Sequence, residues 1–431
     1  MLVYKPEPHQ TEAIKFGGLH HYHILADDMG LGKTFESIAI LISRSVSKFL
    51  VVCPAHLKYN WKAELMACQD KVPMRDILVV DELSDIKRIM LHDYKVVIIN
   101  YEMLLEIAFM EILFAKFKNI IADEAHYLKN IQATRTKAFH QYVQDFKPHR
   151  LILLTGTPIK NRVDEFYSLF LLCSYNQRGT SGKSIVGMNF FHFQNKFMKW
   201  RWKDKYCQYK EYYGVQNIEE LEEIKKDKYL RRESFDIRGS KIKDNYIVMN
   251  SADYEDEELL KEFEAFQKGV SVDIRAKVKS AKLMAPLTVK YLKGLKDANV
   301  GPVVVFTQHI EPLDILTAGL VKVKGLAIGR IDATMSPKKR QAQVDLLQAG
   351  KLDFLLGTFG TMSTGYTMIA ACNVVFNDPS WVPGDNDQAK MRIDRMGQEK
   401  GCTAHHMTGS RVQKYIAKKC NEKSEVIGRV T

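Results

Sequence analysis

Short apolar, β-branched runs recur through the first third of the chain: Phe49 to Cys53, Val96 to Ile99, Ile120 to Ala122 and Leu151 to Leu154. Helix-length stretches lie between them, with apolar residues three and four apart, as from His56 to Leu65. A strand that is apolar throughout must be covered on both faces. Strands and helices alternating in this way build a parallel sheet with helices on each side, and the gaps are long enough for the crossovers that parallel strands need. The pattern returns at Val303 to Phe306, Phe354 to Leu356 and Asn373 to Phe376. The expected fold class is therefore α/β, with two parallel-sheet halves.

Residues 161–290 read differently, with few strand-like runs, many aromatics and many charges. Tyr254 to Lys268 and Ile274 to Ala285 have the pattern of amphipathic or charged helices, and Pro286 is expected to break or kink the second before it continues to Leu295. The expected organisation is a first lobe over 1–160, a helical insertion and linker over 161–290, and a second lobe over 291–431.

Composition narrows the class. A chain of 431 residues exceeds one ordinary domain. With 46% hydrophobic and 26% charged residues it can bury sizeable cores, which excludes collagen-like and broadly disordered chains. No apolar run approaches the roughly 20 residues that cross a bilayer, and the opening Met-Leu-Val-Tyr-Lys-Pro has no apolar signal core. The seven cysteines are scattered and none form a CxxC pair, which fits a reducing compartment and argues against a disulfide framework or structural zinc. These features predict a cytoplasmic protein. Lys plus Arg number 63 against 51 Asp plus Glu, a net charge of +12. That excess suggests a polyanionic partner such as nucleic acid, although many basic proteins bind none.

Ile24-Leu25-Ala26 runs into Asp27-Asp28-Met29-Gly30-Leu31-Gly32-Lys33-Thr34, followed by a helical pattern. A strand, a glycine-containing turn and Lys-Thr opening a helix form a phosphate cradle. Gly30 and Gly32 let backbone N–H groups approach phosphates, and the helix N-terminus adds a favourable dipole. Lys33 supplies charge to the β- and γ-phosphates, and the Thr34 hydroxyl can ligate Mg²⁺. Asp27 stands where the GxxxxGK[ST] pattern has its first glycine. The plainer alternative is a glycine-rich turn before a helix.

Asp123-Glu124-Ala125-His126 leaves the buried run that ends at Ala122. Asp123 is placed to hold Mg²⁺ through its water shell, and Glu124 to orient or deprotonate an attacking water. An acid pair in this position is otherwise a helix N-terminal charge pair that only complements the dipole. Thr155-Gly156-Thr157-Pro158 follows another strand and is either a turn with local Thr hydrogen bonds or a coupling element beside the acid pair.

Taken together these segments resemble the superfamily 2 helicase-type motors, specifically the Swi/Snf-like ATP-dependent DNA translocases. Asp27 to Thr34 resembles motif I, Val51 to Leu65 motif Ia, Asp123 to His126 motif II, and Thr155 to Asn161 with Glu165 to Leu169 motif III. Val303 to Gln308 resembles motif IV, Thr361 to Met368 motif V, and Asp387 to Gln398 motif VI. The resemblance implies two RecA-like lobes, ATP and Mg²⁺ as cofactors, and DNA-stimulated ATP hydrolysis driving translocation on double-stranded DNA. It implies that Gln10 reads adenine, that Met29 to Thr34 cradle the nucleotide with Gln388 also at the site, and that Arg392 and Arg395 act from the second lobe as arginine fingers. Arg392 and Arg395, three apart, would share one helix face; the plain reading of such a pair is a solvated basic face.

His192 to Cys207, Tyr213 to Leu221 and Leu230-Arg231-Arg232 resemble the annealing-helicase branch, as does Gly365-Tyr366-Thr367-Met368 in motif V. That branch rewinds or remodels forked or branched DNA, which implies a role in replication, recombination or repair. The absence of bromodomain, chromodomain or acidic tail suggests a compact motor, bacterial or phage-encoded, monomeric on DNA with accessory proteins optional and no membrane association. A strand-separating helicase, a non-hydrolysing DNA-binding scaffold and the motor subunit of a restriction or defence complex are the competing readings.

Lys196, Lys199, Arg201, Lys203 and Lys205 interleave with Phe197, Trp200, Trp202 and Tyr206. Such a segment suits nucleic acid, with bases neutralising phosphates and aromatics stacking; the alternative is a helical insertion whose aromatics pack on the first lobe. Ser336 and Pro337 read as a helix N-cap and first turn. His405 and His406 lie in a strand-like run and so face opposite ways, which disfavours a metal pair.

Overall fold

The structure, a computed structural model, describes residues 2–176, 182–202, 210–239, 242–249, 257, 259, 261, 263–264, 274–363, 365–395 and 397–431. The chain divides into two compact units, Met1–Ile237 with Val426–Thr431, and Arg238–Glu425.

The first unit contains β1 (Tyr22–Leu25), β2 (Phe49–Cys53), β3 (Ile77–Val79), β4 (Val96–Asn100), β5 (Asn119–Ala122), β6 (Arg150–Leu154), β7 (Met198–Trp202), β8 (Lys210–Val215) and β9 (Tyr229–Leu230). Among the described residues, seven of these form a sheet in the order β3-β4-β2-β5-β6-β1-β9, with every pairing parallel. Alternation along each strand divides the side chains between two cores. Leu50, Val52, Val97, Ile99, Ile120, Leu151 and Leu153 face Phe109, Leu113, Phe114 and Phe139 on helices Ile107–Lys116 and Thr134–Phe146. Phe49, Val51, Val96, Ile98, Ile121, Ile152 and Leu154 face Ile38, Leu41, Trp61 and Leu65 on helices Lys33–Ser43 and Lys58–Cys68. Burial on both faces is why these strands read as unbroken apolar runs.

The second unit contains β10 (Lys243–Val248), β11 (Val303–Thr307), β12 (Ile328–Ile331), β13 (Phe354–Thr358), β14 (Asn373–Phe376) and β15 (Thr403–Thr408). They form a parallel sheet in the order β10-β15-β14-β11-β13-β12. Val304, Phe306, Leu355, Val374 and Phe376 line one core, and Val303, Val305, Leu356 and Val375 line the other with Met284, Val289 and Leu316. The two-sheet α/β class expected from the apolar runs is the observed one.

The middle of the chain differs from expectation. Among its described residues the segment 161–290 does hold helices, at Phe166–Ser174, Phe190–Phe197 and Ile218–Lys225, but it also holds four strands. β7 and β8 pair antiparallel as a ribbon. β9 extends the first sheet beside β1, and β10 extends the second beside β15. Interleaved charges hide the ribbon from a search for apolar runs. β10 is an edge strand with mostly exposed side chains, held by its backbone ladder with Ile247 against the core and Tyr246 stacked on His406. Division at Ile237 assigns this segment partly to each unit. Pro286 does not break its helix, which is continuous from Ile274 to Asp297; Met284, Ala285, Val289 and Leu292 are buried around it and hold the chain helical where one backbone donor is lost. Most of Tyr254 to Lys268 lies outside the described residues.

Ser336 caps its helix as expected, accepting from the Lys339 N–H at 3.4 Å ahead of Pro337. His405 bonds Asn373 and Tyr291, whereas His406 bonds Asp244 at 2.7 Å, so the adjacent rings point apart.

Ile152 sits in β6, paired to β5 and β1, and is fully buried. Ile152→Ala should cost about 2–5 kcal/mol of stability in the first unit, measured by urea unfolding.

Candidate nucleotide site

Strand order places β5, β6 and β1 side by side, so the loops leaving their C-terminal ends emerge together at the edge where parallel sheets bind ligands. Those loops are Asp27 to Gly32, Asp123 to His126 and Thr155 to Pro158.

The first loop ends at Gly32, which caps the helix Lys33–Ser43 with φ of 91°. Gly30 is also left-handed, at 84°. A side chain at Gly32 would be strained by that φ, and its Cβ would lie 2.5 Å from Gln10 Nε2. Gln10 itself, on the helix Pro8–Leu19, donates from Nε2 to the Leu31 carbonyl at 3.4 Å, and His9 Nε2 lies 3.0 Å from the same oxygen. The residue implied to read adenine is thus seated against the loop. Lys33 Nζ donates to the carbonyls of Asp27 at 2.6 Å and Asp28 at 3.0 Å. Burial pushes the Lys33 pKa down, against the opposing fields of Asp27, Glu124, Glu36 and Asp123.

The second loop carries the acid pair. Asp123 Oδ2 accepts from Trp61 Nε1 at 2.8 Å, Oδ1 accepts from the Glu124 N–H at 2.8 Å, and the Asp123 carbonyl accepts from the Tyr101 hydroxyl at 2.7 Å. Desolvation, then the Glu124 charge, push the Asp123 carboxyl up to about 7, with the Trp61 bond and Lys33 opposing. Glu124 has φ of 51°, a left-handed conformation uncommon for a side-chain-bearing residue. Its Oε2 lies 3.1 Å from His126 Nδ1; burial pushes the His126 pKa down, which favours the neutral ring.

The third loop closes on the first. A Cβ at Gly156 would meet Met29 Cγ at 2.5 Å and Lys33 Nζ at 3.4 Å, so this turn lies directly on the lysine. Glu165 holds the segment that follows, accepting from the N–H groups of Lys160 at 2.7 Å and Asn161 at 3.1 Å. The structure therefore brings Gln10, Met29, Gly30, Leu31, Gly32, Lys33, Thr34, Asp123 and Glu124 to one edge. The Thr34 hydroxyl and the Asp123 carboxylate are hard oxygen donors of the kind Mg²⁺ takes, so the donor set fits that ion.

Arg392 and Arg395 belong to the second unit. They were expected on a helix, but the helix Pro383–Lys390 ends before them and they lie in the turns that follow. The N–H groups of Arg392 and Ile393 reach back three residues, to the Ala389 and Lys390 carbonyls, a tightening that ends an α-helix. Both guanidiniums still turn to one place, motif V. Arg392, 2% exposed, donates to the Gln388 carbonyl at 3.1 Å and the Tyr366 carbonyl at 3.4 Å, and Arg395 Nη1 donates to Thr367 Oγ1 at 2.8 Å. Gln388 is fully buried within that unit's fold.

Of the bases considered for nucleic acid, Lys196 pairs with Glu220 at 2.7 Å and Arg201 with Glu211 at 2.8 Å. Lys199 is exposed on β7. Lys203 and Lys205 lie outside the described residues. The aromatics divide: Phe193 and Phe197 join the first unit's core, whereas Trp202 and Tyr213 are exposed.

Sequence reasoning gave no role to His9, Glu36, Trp61, Tyr101 or Arg232. Trp61 sits one helical turn into Lys58–Cys68 and Tyr101 directly after β4; nothing in their local pattern announces a bond to a carboxyl at the end of β5.

The Asp123 shift has a measurable sign. With a folded pKa near 7 and an unfolded value of about 3.9, the folded state holds the extra proton between those limits, so this group's contribution to stability is lost as pH rises through 7. Asp123→Asn should therefore gain stability relative to the metal-free wild type between pH 5 and pH 8, read from paired urea titrations.

The SNF2-related domain family pattern matches residues 9–232, and that of the helicase conserved C-terminal domain matches residues 286–397. The DNA annealing helicase and endonuclease ZRANB3 of Homo sapiens is 26% identical over 418 residues, covering 89% of this chain and 36% of that protein. The SWI/SNF-related matrix-associated actin-dependent regulator of chromatin subfamily A-like protein 1 of Xenopus laevis is 26% identical over 445 residues, covering 98% of this chain and 44% of that protein. The chain thus spans less than half the length of these relatives. Among solved structures, the Sulfolobus solfataricus SWI2/SNF2 ATPase core in complex with dsDNA aligns at a TM-score of 0.45 and 21% identity, covering 99% of this chain and 93% of that one. With its phosphate loop, acid pair and helicase C-terminal segment in this order, the chain belongs to the SNF2-related domain family.

Proposed function

We propose that this protein is a DNA-stimulated ATPase that translocates on double-stranded DNA and remodels or anneals forked or branched DNA. The observation that carries the ATPase reading is the convergence of Lys33, Asp123 and Glu124 at the ends of β1 and β5, with Gly156 against the lysine. The reading of DNA structure rests on the relatives, one of which is named a DNA annealing helicase.

In this reading the N–H groups of residues 30–34 and the helix N-terminus bind the phosphates, and Lys33 exchanges its carbonyl partners for phosphate oxygens. Thr34 and Asp123 would hold Mg²⁺, which would supply charge neutralisation for the phosphates. Glu124, held in its left-handed turn beside His126, orients water and accepts its proton. Gln10 recognises the adenine edge. Arg392 and Arg395 stabilise transferring charge as arginine fingers, leaving their motif V partners to do so. The net charge of +12 and the exposed Lys199 support a DNA partner. We also place the protein, monomeric on DNA, in the cytoplasm of a bacterial or phage-infected cell; the cysteines among the described residues are free thiols, and none of the described helices is long and apolar enough to cross a membrane.

Lys33→Ala and Glu124→Gln should each lower ATP turnover by about a hundredfold or more while leaving circular dichroism unchanged. Wild-type turnover in either purified variant would contradict the assignment. Arg392→Ala or Arg395→Ala should cost on the order of a thousandfold in turnover, the scale of an arginine finger. Phosphate release should rise most with forked DNA or a four-way junction in a panel that includes single strand, duplex and RNA. Triplex displacement without net fork unwinding would separate a duplex-tracking motor from a strand-separating helicase.

A further inference from the structure

Asp27 occupies the position where a phosphate loop of this pattern has its first glycine, and its carboxylate is fully buried. The guanidinium of Arg232 meets it as a two-pronged fork. Nε donates to Asp27 Oδ1 at 3.1 Å, and Nη2 donates to Oδ2. The same Nη2 donates to Glu36 Oε1 at 3.2 Å, so one cation bridges the residue that opens the loop and a residue in the first turn of the helix that closes it. Glu36 is also fully buried. The outer nitrogen, Nη1, donates to the His9 carbonyl, beside the Gln10 that rests on Gly32.

The neighbouring residues follow suit. The Asp28 N–H donates to the Arg232 carbonyl at 3.0 Å, continuing the β1–β9 ladder into the loop. Arg231 donates to the Ala26 carbonyl at 3.2 Å and to Asp28 Oδ1 at 3.0 Å, and the Ser234 N–H donates to Asp28 Oδ2 at 2.9 Å. Residues 230–234 therefore underlie the phosphate loop just before the first unit ends at Ile237.

We propose that Arg232 is a positioning residue for nucleotide binding: its fork on Asp27 and its bridge to Glu36 hold residues 27–36 in the phosphate-binding shape. The departure at Asp27 is then one half of a paired device whose other half lies far along the chain. A planar guanidinium fits this role because it engages a carboxylate with two parallel bonds and reaches a second carboxylate from the same edge, which an ammonium cannot do. The buried Asp27 carboxylate requires a cation, since left unpaired it would carry a large desolvation cost; burial and then the Asp27 charge push Glu36 up to about 8, so Glu36 meets the fork largely as a neutral acid whose oxygen accepts from it. Arg232 contacts Asp27, Glu36 and the His9 carbonyl, so in this role it acts through the loop's shape.

This inference rests on the ATPase reading, and the test separates the two. The measurements are Mg-ADP affinity by calorimetry, kcat and KM for ATP, and melting without nucleotide, for wild type, Arg232→Lys, Asp27→Asn, their double variant and Lys33→Ala. Arg232→Lys keeps the charge and should keep the fold. It should weaken Mg-ADP binding about tenfold and raise KM with it, at a melting temperature close to wild type. Asp27→Asn should lose a similar factor, and the double variant should lose little more than either single, because both remove one interaction. Mg-ADP should slow amide exchange over 229–234 in the wild type and less so in Arg232→Lys. Wild-type affinity and KM in Arg232→Lys, losses that multiply in the double variant, or equal protection in both proteins would overturn the positioning role alone. A wild type that does not bind Mg-ADP, or a Lys33→Ala that binds it equally well, would overturn the ATPase reading and this inference with it.

Discussion

A buried ammonium surrounded by carboxylates organises the first unit. Lys33 lies within the fields of Asp27, Glu36, Asp123 and Glu124, which arrive from two loops and one helix. Each of these acids would be costly to enclose by itself. Lys33 and the Arg232 guanidinium together supply balancing charge, and the acids that face one another there are pushed towards their neutral forms by burial and by each other's fields. Enclosure also leaves Asp123 with a raised pKa, which marks it as a carboxyl that gains from a further cation.

The parallel sheet makes this convergence possible. All its strands point the same way, so every loop at their C-terminal ends opens on one edge, and the order β5-β6-β1 sets three of those loops side by side. The two cores on either face hold the strand ends rigidly, so the loops can carry left-handed backbone at Gly30, Gly32 and Glu124. The left-handed backbone at Glu124 is a local strain that the packed strands support, whereas Gly30 and Gly32 adopt theirs at little cost.

Much of this was legible in order of residues. Apolar runs revealed the buried strands because both of their faces are covered, and Gly30 to Thr34 and Asp123 to Glu124 carry their chemistry in adjacent positions. The ribbon of β7 and β8 was not legible, since its alternating side chains are bases and aromatics rather than a clean apolar face. β9 and β10 were hidden for a related reason. The first is two residues long and the second is an edge strand with mostly exposed side chains, so neither presents an apolar run even though Tyr229, Leu230 and Ile247 pack on the cores. Arg392 and Arg395 were recognised by type and spacing, yet their shared approach to motif V comes from side-chain reach out of a turn and not from a helix face.

Sequence alone determined the α/β class, the two sheets, the phosphate loop and the acid pair, because periodicity and short motifs are local properties of a chain. Only the tertiary structure decided which distant residues complete the site. Trp61 and Tyr101 bond Asp123 from separate elements, Gly156 rests on Lys33, and Arg232 pairs with Asp27 across 205 positions. The physical reason is that a buried charge is satisfied by whatever donor the fold carries within about 3 Å of it, and distance in space between those partners is set by strand order, which separation along the chain does not record.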